Sequence, residues 1–113
     1  MAVTPSYRSF VMEQLERISL ITPKNMFGGV GLYAEGYFFA LIADDRLYFK
    51  VDDSNRLDFD AAAMEPFRPY GGERAMQYYE VPIEVLEDVD VLQRWAEKAI
   101  AVARGAKQRK RRA

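Results

Sequence analysis

The chain has 113 residues, half of them apolar and 13% aromatic, which is enough for one domain built around one hydrophobic core. It contains neither cysteine nor histidine, so disulfides, thiolate nucleophiles, imidazole bases and the commonest metal ligands are excluded within a single chain. Its net charge of −1 conceals a division. Residues 104–113 carry six basic groups (Arg104, Lys107, Arg109, Lys110, Arg111, Arg112) and no acidic one, leaving 10 basic against 17 acidic residues, a formal −7, on the rest.

From the N-terminus, Thr4 before Pro5 reads as an N-cap with proline at the first helical position. Tyr7, Val11, Leu15 and Ile18 then recur at helical spacing, predicting about four turns that end before Pro23. No apolar run approaches the ~18–20 residues of a membrane span, and residues 1–9 hold no hydrophobic signal core, so the expected setting is the cytoplasm.

Gly28, Gly29 and Gly31 suit a sharp strand entry, a bulge or close backbone approach. They lack the Lys-Ser/Thr of a phosphate loop and precede a strand instead of opening a helix. Alternation follows. Val30, Leu32 and Ala34 point one way, then Phe39, Leu41 and Ala43, then Leu47, Phe49 and Val51, predicting a three-strand antiparallel meander. Glu35-Gly36 and Asp44-Asp45 are its tight turns. The middle strand is apolar on both faces, with Phe38, Ala40 and Ile42 opposite Phe39 and Leu41, so it is expected at the centre and covered on both sides.

Asp52, Asp53 and Ser54 can cap a short helix over about residues 55–64. Two extended pieces are expected near residues 67–70 and 75–81. A last helix then starts near Asp88 or Asp90, with Asp90 and Gln93 as a capping box. Its buried stripe is Leu92, Trp95, Ala96, Ala99, Val102 and Ala103, and Gly105 stands where a C-terminal cap belongs. Residues 1–104 thus read as one domain, and residues 105–113 as a basic, disordered tail. The predicted fold class is α+β, a two-layer α/β sandwich with an antiparallel sheet.

Few residues point to chemistry. The pairs Asp44-Asp45 and Asp52-Asp53 lie roughly 20 Å apart along a strand, too far to share a metal ion, so turn and cap roles account for them and no metal site is expected. Lys50, opposite Phe49, with Tyr48 and nearby carboxylates, is the one candidate for a small-molecule site or for lysine chemistry. Snorkelling at a sheet rim is its bland alternative. The dense aromatics (Tyr33, Tyr37, Phe38, Phe39, Tyr48, Phe49, Tyr70, Tyr78, Tyr79) read first as core and second as a partner or dimer surface. Arg104, Lys107, Arg109, Lys110, Arg111 and Arg112 are the candidate contacts for a phosphate backbone, against a merely solubilising terminus.

Five blocks then occur in order: Met26-Phe27-Gly28-Gly29-Val30-Gly31-Leu32-Tyr33, Phe39-Ala40-Leu41-Ile42, Asp45-x-Leu47-Tyr48-Phe49-Lys50-Val51-Asp52, Tyr78-Tyr79-Glu80-Val81-Pro82, and Leu86-Glu87-Asp88-x-x-x-Leu92-x-x-Trp95. Together they resemble the N-terminal domain of the TfoX/Sxy family, over about residues 7–103. The resemblance implies an α-β(3)-α-β(2)-α fold like that of secretion-chaperone-type domains. It also implies a bacterial, non-enzymatic regulatory module, linked to transcription or DNA-uptake competence, that binds a protein partner or forms a homodimer. The family's competence regulators carry a second, C-terminal domain, which this chain is read as lacking, with the basic tail in its place. No catalytic residues belong to the family motif, and no cofactor is expected.

Overall fold

In the structure, a computed structural model, residues 3–26, 28–68 and 77–112 are described, with side chains in the last helix as far as Gln108. The elements are α1 (Pro5–Glu16), β1 (Ile21–Met26), β2 (Gly29–Ala34), β3 (Tyr37–Ala43), β4 (Arg46–Lys50), α2 (Arg56–Ala61), β5 (Tyr78–Glu80), α3 (Ile83–Leu86) and α4 (Val89–Arg112). The strands form one antiparallel meander in the order β1-β2-β3-β4-β5. All four helices contribute to the core on one face of it: Val11 and Leu15 from α1, Phe59 from α2, Leu86 from α3, and Leu92, Ala96 and Ala99 from α4. This is the expected α+β sandwich, with β3 at its centre.

Both tight turns hold two residues in the left-handed region, Glu35 and Gly36 (φ 55° and 79°), then Asp44 and Asp45 (51° and 53°). That combination matches the right-handed twist of the strands it joins. The second turn also anchors α1. The Asp45 carboxylate accepts from the Thr4 amide (2.8 Å) and from its hydroxyl (2.9 Å), while the Thr4 hydroxyl accepts from the Tyr7 amide (3.3 Å). The predicted N-cap is thus itself held by a turn 41 residues away. Gln14, buried on α1, donates to the Leu86 carbonyl (2.9 Å) and ties α1 to α3.

The glycine cluster serves strand entry and close approach. Gly28 has φ 77°, and a Cβ on Gly29 would lie 2.5 Å from the Ile42 carbonyl oxygen.

Several expectations need correction. A fourth strand, β1, precedes the glycines; Pro23 disguises it, and proline is tolerated there because β1 lies at the sheet edge. In β3 the alternation breaks. The register with β2 shifts between Leu32 and Tyr33, so Phe39 joins Ala40 and Ile42 on the helix face, whereas Leu41 and Ala43 face away beside Phe38. One extra residue in a bulge has this effect. Helix α2 ends at Ala61, short of the expected residue 64, because Ala63 turns left-handed (φ 57°). The Ala63 and Met64 amides then reach back to the Asp60 and Phe59 carbonyls (3.0 and 2.9 Å), closing a Schellman motif.

After α2, the described residues contain β5 and a single bridge between Pro66 and Tyr79 instead of two strands. Residues 69–76, which hold parts of both expected pieces, lie outside those described. Asp88, not the Asp90–Gln93 box, caps α4, accepting from the Asp90 and Val91 amides (3.2 and 3.3 Å). Finally, α4 does not stop at Gly105. It runs on to Arg112, so helix occupies residues 105–112, where the sequence suggests a cap and a disordered tail.

The far face of the sheet carries Leu41, Ala43, Tyr48, Phe67 and Tyr78 with Phe38 against them. Both faces of β3 are therefore apolar and covered, as its composition requires.

Candidate functional site

The continuation of α4 past the core places its cationic end beside the β2–β3 turn. Arg104 Nη2 lies 3.0 Å from Glu35 Oε1, joining positions 69 apart in sequence. Both side chains are substantially exposed (40% and 58%), so the pair contributes at most about 1 kcal/mol. Tyr37, first residue of β3, lies under both cations of this stretch of helix: the Arg104 guanidinium is 5.6 Å and Lys107 Nζ 5.3 Å from its ring centroid. An aromatic face attracts cations at that range by about 0.5–1 kcal/mol each.

Next to this pedestal, an open cleft of about 330 Å³ is lined by Ile18, Ser19, Glu35, Gln93, Glu97, Ile100 and Arg104. Ile18 and Ile100 give it apolar walls; the others give it both charges and neutral hydrogen-bonding groups. It lies between the end of α1, the β2–β3 turn and the middle of α4; Asp45–Thr4 ties α1, and Arg104–Glu35 ties α4, to turns of the sheet. Leu20, adjoining Ser19, is 84% exposed.

Of the candidate phosphate contacts, Arg104 and Lys107 are brought together over Tyr37. The side chains of Arg109, Lys110, Arg111 and Arg112 lie outside those described, though the backbone is helical through all four positions. Tyr37, Glu35 and the cleft were missed by sequence reasoning. Tyr37 reads only as another sheet aromatic, and no local pattern links a turn glutamate to an arginine 69 residues on.

The second candidate, Lys50, sits elsewhere. Its Nζ is 5.0 Å from the Tyr78 ring on the far face, where Tyr33 stacks on Phe38 (5.2 Å) and Phe38 packs on Tyr78 (5.3 Å). Burial, with the Tyr33 phenol adding to it, pushes the Tyr78 phenol well above its ordinary range. Burial likewise pushes Tyr7 up to about 12, with Glu80 adding to the effect. Tyr48 moves in the same direction, again through burial and then Glu80. These hydroxyls stay protonated near neutral pH, the wrong direction for a general base.

Several acidic side chains are taken up by the architecture: Asp45 on Thr4, Asp52 on Ser54, Asp88 on the α4 N-terminus, and Asp58 on Lys98 (2.8 Å). Among the described residues no group of three or more acidic side chains is arranged to hold a metal ion. No helix among them is long and apolar enough to cross a membrane.

No curated protein matches the chain significantly. The family model of the TfoX N-terminal domain matches residues 13–103, a span from the middle of α1 to Ala103 in α4. It therefore covers the whole sheet and every lining residue of the cleft except Arg104. On that match, the chain belongs to the TfoX N-terminal domain family.

Proposed function

We propose that this protein is a non-enzymatic regulatory module, acting in transcription or in the control of DNA uptake, and that it works by binding another protein through the cleft beside α4. The observation that carries this reading is the division of labour among polar groups. Asp45 and Asp88 hold helix ends and Asp58 joins α2 to α4, while the cleft presents Ser19, Gln93 and Glu97 between Ile18 and Ile100, with Leu20 exposed at its side. A mixed surface of this kind suits a protein partner, either a different protein or a second copy of this chain.

The test is genetic and uses the native host. Deleting the gene is expected to alter transcript levels of DNA-uptake genes. Wild type should restore them, as should Leu57→Arg, a substitution at a leucine that is 79% exposed on α2. Leu20→Arg, which puts a charge beside the cleft, should fail. Unchanged transcripts in the deletion strain, or full rescue by Leu20→Arg, would count against the proposal. So would reproducible substrate turnover by purified protein.

A further inference from the structure

We propose that the last two turns of α4 form a docking element for the phosphate backbone of duplex nucleic acid, pinned to the sheet by Tyr37. This site is separate from the cleft and does not depend on it. Residues 107–112 supply five cations in six positions and no carboxylate, so the stretch cannot neutralise itself through i, i+4 pairs. Because the backbone is helical through Arg112, those positions span about 7.5 Å at a rise of 1.5 Å per residue. That is roughly one cation per 1.5 Å of its axis, a denser run of charge than the one phosphate per ~3.4 Å along a single strand of a duplex.

Helical register puts positions 104, 107 and 111 within one sector of about 60°, and Tyr37 meets the first two of them. Positions 109, 110 and 112 fall outside that sector. The ring thus fixes one side of the helix and leaves the other sides for a ligand.

Two competing effects can be weighed. The residues outside 107–112 carry 11 basic and 17 acidic groups, a formal −6, and would repel a polyanion. Arg112, however, lies about 12 Å along the axis beyond Arg104, more than the ~8 Å screening length at physiological salt. An anionic lipid surface offers phosphates too, but stable attachment of a helix to a membrane needs an apolar face, and residues 107–112 contain no apolar residue. Duplex nucleic acid is therefore the favoured partner, bound without regard to sequence.

Fluorescence anisotropy with two labelled 20-base-pair DNA duplexes of unrelated sequence tests this on the full chain. Both duplexes should bind with Kd values within about threefold of each other. With the three phosphate contacts that register leaves to positions 109, 110 and 112, affinity should fall about 40-fold between 50 and 200 mM salt. The variant carrying Lys107, Arg109, Lys110, Arg111 and Arg112 all →Gln keeps good helix formers and leaves the buried stripe intact. It should lose at least tenfold at 50 mM salt, with most of the salt dependence gone. Tyr37→Leu should weaken binding several-fold while leaving the charge unchanged. Equal binding by the five-fold Gln variant overturns the proposal. So does binding to vesicles containing anionic lipid without binding to either duplex.

Discussion

Replacing Gly105 by alanine tests the continuation of α4 directly, because two readings of this position predict opposite signs. Were Gly105 the left-handed cap suggested by its place in the sequence, alanine would introduce a strained Cβ there and cost about 1 kcal/mol. In the structure the helix passes through residue 105 and continues for seven more. Alanine inside a helix is about 0.8–1.0 kcal/mol more favourable than glycine, which shifts the equilibrium between a continuous and a frayed end roughly fivefold. The effect is local, so amide hydrogen exchange is the assay of choice and the melting temperature a secondary one. Amides of residues 107–112 should exchange about fivefold more slowly in Gly105→Ala. If the phosphate site is as inferred, DNA affinity should rise by at most the same factor, since less ordering remains to be done on binding. Faster exchange at these amides would refute the helical continuation and, with it, the spacing on which the DNA site depends.

Three further outcomes follow from other contacts. Ala63→Gly should stabilise the fold by about 0.5–1 kcal/mol, read from urea midpoints at constant slope, because Ala63 occupies the left-handed position of a Schellman motif; a loss of stability would show that the α2 terminus is built differently. Gly29→Ala should cost about 1–3 kcal/mol in the same assay, since its Cβ would fall 2.5 Å from the Ile42 carbonyl oxygen, a backbone atom of the central strand that cannot move aside cheaply; an unchanged midpoint would count against that close approach. Stability should also decline in alkali. Tyr7 and Tyr78 ionise less readily when folded than the ordinary phenol value of about 10, so their contribution is complete below pH 10 and is lost as the pH rises towards 12 and beyond. Urea melts from pH 8 to 11.5 should show this fall, and Tyr78→Phe should flatten it; a flat wild-type profile would refute the burial of these phenols.

Local patterns carried the fold wherever one face is buried and the turn chemistry is strong. Val30, Leu32 and Ala34, or Leu47, Phe49 and Val51, alternate cleanly because each set faces the helices. Thr4-Pro5 marked the start of α1 for the same kind of local reason. What escaped was decided at longer range. Ile21–Met26 forms a strand because β2 offers it partners, not because Pro23, Lys24 or Asn25 favour one. The bulge at Phe39 reverses the sides assigned to Leu41 and Ala43, and a doubly apolar strand gives no hint of a register slip. Gly105 looked like a stop because glycine adopts αL without strain, yet the helix continues on both sides of it. For the site, composition exposed the cationic terminus but not its pedestal, since Tyr37 acquires that role only when β3 and α4 meet.

The two-residue link between β3 and β4 answers to two demands at once. For the hairpin alone, Asn-Gly would relax both left-handed positions that Asp44 and Asp45 now occupy. Such an exchange would remove the carboxylate gripping the Thr4 amide and hydroxyl, and the N-terminal end of α1 would lose its tether to the sheet. Optimising this loop by local statistics would therefore loosen the molecule as a whole. The less comfortable residue is retained because its value is realised at the far end of another element.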